Sequence, residues 1–214
     1  MVRYLPCQEG DRMEIQEFLR DYLHLTDEGT VGQVLQIAKI EHFNKGELLF
    51  ESGQRLTSLT FLLSGVLRGF LIDLNGKDIT DCFAYRPGEA AMPCNRLDQV
   101  AQISIEAVTP CEVLKIPVPA AIQLIEENPQ LCRLYNQYLI QALERHWEVK
   151  MLMYQYTAMQ RYEWFLKRYP ELAQMISGRY IASYLGMTPV TLSRLRGRLR
   201  KKAGASSRPV EELE

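Results

Sequence analysis

The sequence predicts an α+β chain: an N-terminal β-roll of the jelly-roll kind, one long helix, and a C-terminal helix-turn-helix. Three observations carry this reading. Glycines at 46, 53, 65, 76 and 88, most of them 11 or 12 residues apart, punctuate short strand-like runs, the spacing of a closed antiparallel sheet. No glycine or proline falls between Pro129 and Pro170, so a helix can run on without a break. The arginines crowd into the last stretch, where two short apolar-striped segments flank Gly186.

Taken in order, Ile15, Phe18, Leu19, Tyr22, Leu23, Val31, Val34 and Leu35 space as one or two short N-terminal helices. Strand-like segments follow at 47–50, 59–63, 66–72, 103–108 and 111–116, with Asn75-Gly76 as a hairpin turn suited to positive φ. Asn128-Pro129 is an N-cap followed by proline at the first helical position. Along the helix it opens, Cys132, Tyr135, Leu139, Ala142, His146, Val149, Met153 and Tyr156 fall at alternating steps of three and four. So narrow a heptad seam suits burial against an identical helix, which predicts a homodimer. Thr157 followed three residues later by Gln160 has the form of a capping box and opens the next helix. The expected organisation is a sensor domain over 1–127, a dimerisation helix over 128–157 and a helix-turn-helix domain over 158–214.

In that last domain Ser177 caps one helix, Gly186 makes a left-handed turn, and Thr188-Pro189 opens a second helix. Ala182 allows a close crossing, while Ile181, Leu185, Leu192 and Leu195 form the inward stripe. Residues 172–210 hold Arg179, Arg194, Arg196, Arg198, Arg200, Lys201, Lys202 and Arg208 and no acid, in a chain whose net charge is −1. A basic block on an acidic body points to a polyanion, here double-stranded DNA. Val190, Thr191 and Arg194 are the expected base readers; Arg179, Thr188, Ser193 and Arg198 suit phosphates.

Composition excludes several classes. The chain of 214 residues is 47% hydrophobic, enough for two modest cores. Cys7, Cys82, Cys94, Cys111 and Cys132 form no CxxC pair, and His24, His42 and His146 are dispersed, so no metal site, cofactor or catalytic residue is expected. No run is long and apolar enough for a membrane span, and the N-terminus lacks an apolar signal core; a cytoplasmic protein without membrane partners is expected.

The order of β-roll, long helix and helix-turn-helix resembles the Crp/Fnr family of transcription regulators across nearly the whole chain. The resemblance rests on Lys45-Gly46-Glu47-Leu48-Leu49-Phe50-Glu51-Ser52-Gly53, Leu62-Leu63-Ser64-Gly65-Val66-Leu67, Asn75-Gly76-Lys77, Pro87-Gly88-Glu89 and Cys111-Glu112-Val113-Leu114-Lys115-Ile116. It implies a cyclic-nucleotide-binding-type sensor in which Gly88 and Glu89 open a phosphate-binding cassette. The family's arginine would then fall at Ala101-Gln102, where no cation stands; Arg96 is the nearest. A cyclic phosphate without a cation is poorly compensated. These five residues define the expected effector pocket, for a small molecule other than cyclic AMP or for none. The family's N-terminal iron-sulfur cysteine cluster is missing, Cys7 being alone there, and residues 203–214 carry no strand pattern, so the DNA-contacting wing is expected to be short or absent. The expectation is a homodimeric DNA-binding regulator, with RNA polymerase a further candidate partner. Alternatives are a nucleotide-binding-like module acting through protein partners and a redox- or haem-responsive regulator.

Overall fold

The apolar spacing of the N-terminal segment forms α1 (Glu9–Asp21) and α2 (Glu28–Ile37) in the computed structural model, which describes residues 9–206. Asp27 caps α2, its carboxylate accepting the Thr30 N–H at 2.8 Å. Eight strands follow: β1 (Lys39–Phe43), β2 (Leu48–Phe50), β3 (Ser58–Ser64), β4 (Leu67–Ile72), β5 (Asp78–Ala84), β6 (Ala90–Ala91), β7 (Ser104–Ala107) and β8 (Cys111–Pro117). They pair antiparallel into two four-stranded sheets, ordered β1-β8-β3-β6 and β2-β7-β4-β5, the two layers of the expected roll.

The near-continuous apolar run of β3 is explained by burial on both faces. Leu59, Phe61 and Leu63 pack outward beneath the helices with Leu114 and Ile116 of β8. Leu62 turns inward against Leu67, Ile105, Ala107 and Val113 between the sheets. Strands β1 and β5 escaped the sequence reading because they are half-exposed and polar, with Glu41, His42, Asp78 and Asp81 inside them; partner strands hold them. At the β4–β5 hairpin only Gly76 takes positive φ, at 76°. Asn75 keeps negative φ because Asp73 accepts the N–H groups of Asn75 and Lys77 and closes the turn.

Beyond β8 run α3 (Val118–Glu127), α4 (Pro129–Gln155), α5 (Ala158–Arg168), α6 (Leu172–Met175), α7 (Gly178–Tyr184) and α8 (Pro189–Ser206). Both expected caps form: Asn128 accepts from the Gln130 N–H at 2.8 Å, and Thr157 with Gln160 makes the reciprocal capping box. The chain divides into two compact units, residues 1–146 and 147–214, and the division falls within α4. The C-terminal unit has an aromatic core of Phe165, Tyr169 and Tyr184, with ring centroids 5.3–6.3 Å apart. The helix-turn-helix rests on it. The basic helix reaches Ser206, further than the expected start of a non-helical tail at Ala203. The residues on which the expectation of a short or absent wing rests beyond Ser206, 207–214, lie outside the described residues, as does Cys7.

Candidate nucleic-acid interface and sensor pocket

α7 and α8 bury the stripe the sequence nominates: Ile181, Ala182 and Leu185 are fully buried, with Leu192 and Leu195 nearly so. Between them Gly186 takes φ 62°, and a Cβ there would lie 3.1 Å from Met153 Sδ. A residue without a side chain satisfies both demands. Thr188 accepts the Thr191 N–H at 3.1 Å and so caps α8.

At about 100° per residue, Val190, Thr191, Arg194 and Arg198 share one arc of α8, and the buried Leu192 and Leu195 lie on the adjoining arc. Val190, Ser193, Arg194 and Arg198 are exposed, as are Thr188 and Arg179, and Thr191 is half-buried. The expected DNA-facing residues thus form one exposed, cationic surface at the start of a helix whose other side is anchored. Arg179 lies back over the Tyr180 ring at 4.6 Å and donates to its hydroxyl at 2.6 Å. Arg196, two residues after Arg194, donates from Nε to the Tyr162 hydroxyl at 3.1 Å. That arginine braces α8 against α5.

In the sensor unit the Gly88-Glu89 turn lies between β5 and β6. Gly88 takes φ 88° and packs under Tyr22, whose Cβ lies 3.1 Å from where a Gly88 Cβ would be. Glu89 does not project freely. Its Oε2 accepts the N–H groups of Tyr85 and Arg86 at 2.7 and 3.2 Å, and its Oε1 is 3.5 Å from Nη1 of Arg145. The Gly88 N–H donates to Leu62 O at 2.9 Å, and the Glu89 N–H to Arg86 O at 3.1 Å. Tyr138 of α4 donates its hydroxyl to Gly88 O at 2.7 Å. Burial, reinforced by the nearby Glu89 charge, pushes Tyr138 up to about 12, so it remains a donor.

The other expected pocket residues stand apart from this turn in their bonding. Arg96 is exposed and pairs with Asp98 of its own loop at 2.6 Å. Ala101 is buried and exchanges backbone hydrogen bonds with Gly53 and Gln54. Gln102 is exposed, its carbonyl accepting from Ser52. Sequence reading missed Tyr138 and Arg145 because α4 was read for its apolar seam alone; their seven-residue spacing, two turns on one face, was the available signal.

Three of the described thiols are held in the protonated form by burial. Burial pushes Cys82 up to about 12, and burial likewise raises Cys94 and Cys111, so none is a ready thiolate. No group of three or more His, Cys, Asp or Glu among the described residues could hold a metal. No helix there is long and apolar enough to cross a membrane.

The expected dimer seam is partly covered within the chain itself. Tyr135, Leu139, Ala142, Val149 and Met153 are half-buried within the chain, while His146 and Tyr156 are exposed. Tyr135 lines a small apolar cavity with Leu131, Leu134 and Phe61, and Met153 Sδ accepts from Arg161 Nη1 at 3.2 Å. The stripe that α4 leaves to solvent is Ile140, Leu143, Trp147, Met151 and Tyr154, 37–75% exposed and spaced three, four, four and three. Periodicity alone offers both stripes; the chain's own packing takes one.

Comparison with known proteins agrees with this architecture. The cyclic nucleotide-binding domain family matches residues 40–128. The nitrogen fixation regulation protein FixK of Bradyrhizobium diazoefficiens is 29% identical over 164 residues, covering 72% of this chain and 68% of that protein. An anaerobic regulatory protein of Haemophilus influenzae is 24% identical over 180 residues, covering 77% and 68%. The structure of FixK2 from Bradyrhizobium japonicum superposes with a TM-score of 0.72 at 20% identity, over 78% of this chain and 86% of that one. The roll, long helix and helix-turn-helix stand in that order, and the chain is similar in fold to regulators of the Crp/Fnr family, one of which, from Eubacterium rectale, superposes with a TM-score of 0.69 at 15% identity over 87% of this chain and 88% of that one.

Proposed function

We propose that the protein is a cytoplasmic, homodimeric transcription regulator that binds a two-fold symmetric DNA site. The observation that carries this is the arc of Val190, Arg194 and Arg198, exposed, with the half-buried Thr191, on a helix anchored along its adjoining side by Leu192 and Leu195. Arg194 is suited to bidentate contact with guanine, Val190 to a thymine methyl, and Thr188, Ser193, Arg179 and Arg198 to phosphates. Two copies meet through the solvent-facing stripe of α4, centred on Leu143 and Trp147. Supporting this is the exposure of five large apolar side chains in heptad-like spacing on one helix, more than single scattered surface hydrophobes explain.

Cyclic AMP is not the effector in this reading. Glu89 is engaged by the chain's own donors, Arg96 by Asp98, and Ala101 brings no charge. A cyclic phosphate would meet the Glu89 carboxylate at this turn, and the position expected to supply its cation holds Ala101. The sensor therefore answers to another small molecule or to none, and RNA polymerase is the partner through which a bound dimer would act. The test is selection of sequences from a random duplex pool by the purified protein, with and without cyclic AMP at one fixed salt concentration. The expected outcome is a palindrome with half-sites about one helical turn apart, unchanged by cyclic AMP. Failure to enrich any sequence, or enrichment only with cyclic AMP, would falsify the corresponding part.

A further inference from the structure

We infer that the long helix supplies the cassette turn with its occupant: Tyr138 and Arg145 of α4 engage Gly88 and Glu89 and latch the helix to the roll without any bound effector. This rests on the regulator reading and sharpens its sensor half.

The case is an inventory of the turn's polar groups. Pro87 has no N–H; the N–H groups of Tyr85 and Arg86 go to Glu89 Oε2, that of Gly88 to Leu62 O and that of Glu89 to Arg86 O. The Gly88 carbonyl accepts from Tyr138, and the second Glu89 oxygen faces Arg145. Each backbone donor of the turn already has an acceptor, and two of them serve a carboxylate whose charge the helix matches. An anionic ligand would have to break bonds inside the turn and displace the Glu89 carboxylate from Arg145.

The same geometry gives the latch a consequence. Tyr138 and Arg145 lie seven residues apart and so share one face of α4, at about 100° per residue. Ile140, Leu143 and Trp147 lie on the opposite face and are 51–57% exposed. Holding one face to the turn therefore sets which face a second copy meets. Arg145 and Tyr138 are positioning residues here, acting on DNA affinity only through α4.

Hydrogen exchange of the full chain, read at the amides of Tyr85 and Arg86 and along the middle of α4, tests the latch. Arg145→Lys should exchange like the parent. Arg145→Gln should exchange about two- to five-fold faster at those amides, the range for a half-exposed ion pair, and Arg145→Glu faster still. Tyr138→Phe should loosen the same segment by a similar factor. Added cyclic AMP should change none of them. Rates indifferent to the charge at position 145, or protection of the turn that rises with cyclic AMP, overturn the latch. Should Arg145→Glu fail to fold, the lysine, glutamine and phenylalanine variants still decide the point. A parent that selects no DNA while keeping this exchange pattern refutes the regulator reading and leaves the latch standing; DNA selection with a charge-independent pattern does the reverse.

Discussion

Arg194 and Arg196 are two residues apart on α8, yet the helix turns them to different surroundings. Arg194 is exposed on the arc proposed to face bases, while Arg196 is half-buried and donates to Tyr162. Arg194→Ala should therefore cost about 1–3 kcal/mol of affinity for the preferred site and relax the preference at one base position. Arg196→Ala should lower the stability of the C-terminal unit by about 1 kcal/mol, the worth of a hydrogen bond, and leave sequence preference unchanged. Binding isotherms on site variants, alongside thermal melts, separate the two; equal relaxation by both would show that the arc is wrongly drawn. The sequence already set Arg194 apart as a base reader; the partner of Arg196, Tyr162, came only with the tertiary structure.

At the scale of the element, the ends of α4 are legible in the sequence, whereas the stripe it leaves exposed is not. Its start at Asn128-Pro129 and its end before the Thr157 capping box followed from local hydrogen bonding, and local rules of that kind need no tertiary partner. Which of two neighbouring apolar stripes faces outward did not follow, because Tyr135 and Met153 find partners remote in sequence. Leu143→Asp should accordingly halve the mass seen by light scattering and weaken DNA binding with it. Tyr135→Ala should instead keep the dimer and cost about 1–2 kcal/mol of stability, reduced from the full-burial value because the ring is half-exposed. The opposite pairing of outcomes would favour the seam through Tyr135, Leu139, Ala142, His146, Val149, Met153 and Tyr156.

For the whole molecule, the two compact units have separate cores, and the roll holds a charge network of its own. Arg68 of β4 is 1% exposed and pairs with Asp78 at 2.6 Å and Glu106 at 2.8 Å, with Phe70 beneath it. Arg68→Ala would strand Glu106, which is mostly covered, and should cost the sensor unit about 3 kcal/mol. Denaturation followed by exchange in each unit should show that loss in residues 1–146, with the helix-turn-helix amides unchanged; a loss shared equally by both units would contradict separate cores. What the sequence determined by itself was whatever short-range chemistry specifies: the glycine-punctuated roll, the caps of α4, α5 and α7, and the Gly186 turn with its inward stripe. It also located Gly88, Glu89 and the exposed arginines of α8. Tertiary structure decided which groups meet across long separations: the polar strands β1 and β5, the outward stripe of α4, the brace from Arg196, and the engagement of Glu89 by Arg145 fifty-six residues away. Periodicity records which face of an element is apolar, whereas the partner that covers that face, or neutralises a charge on it, is set by the packing of distant segments.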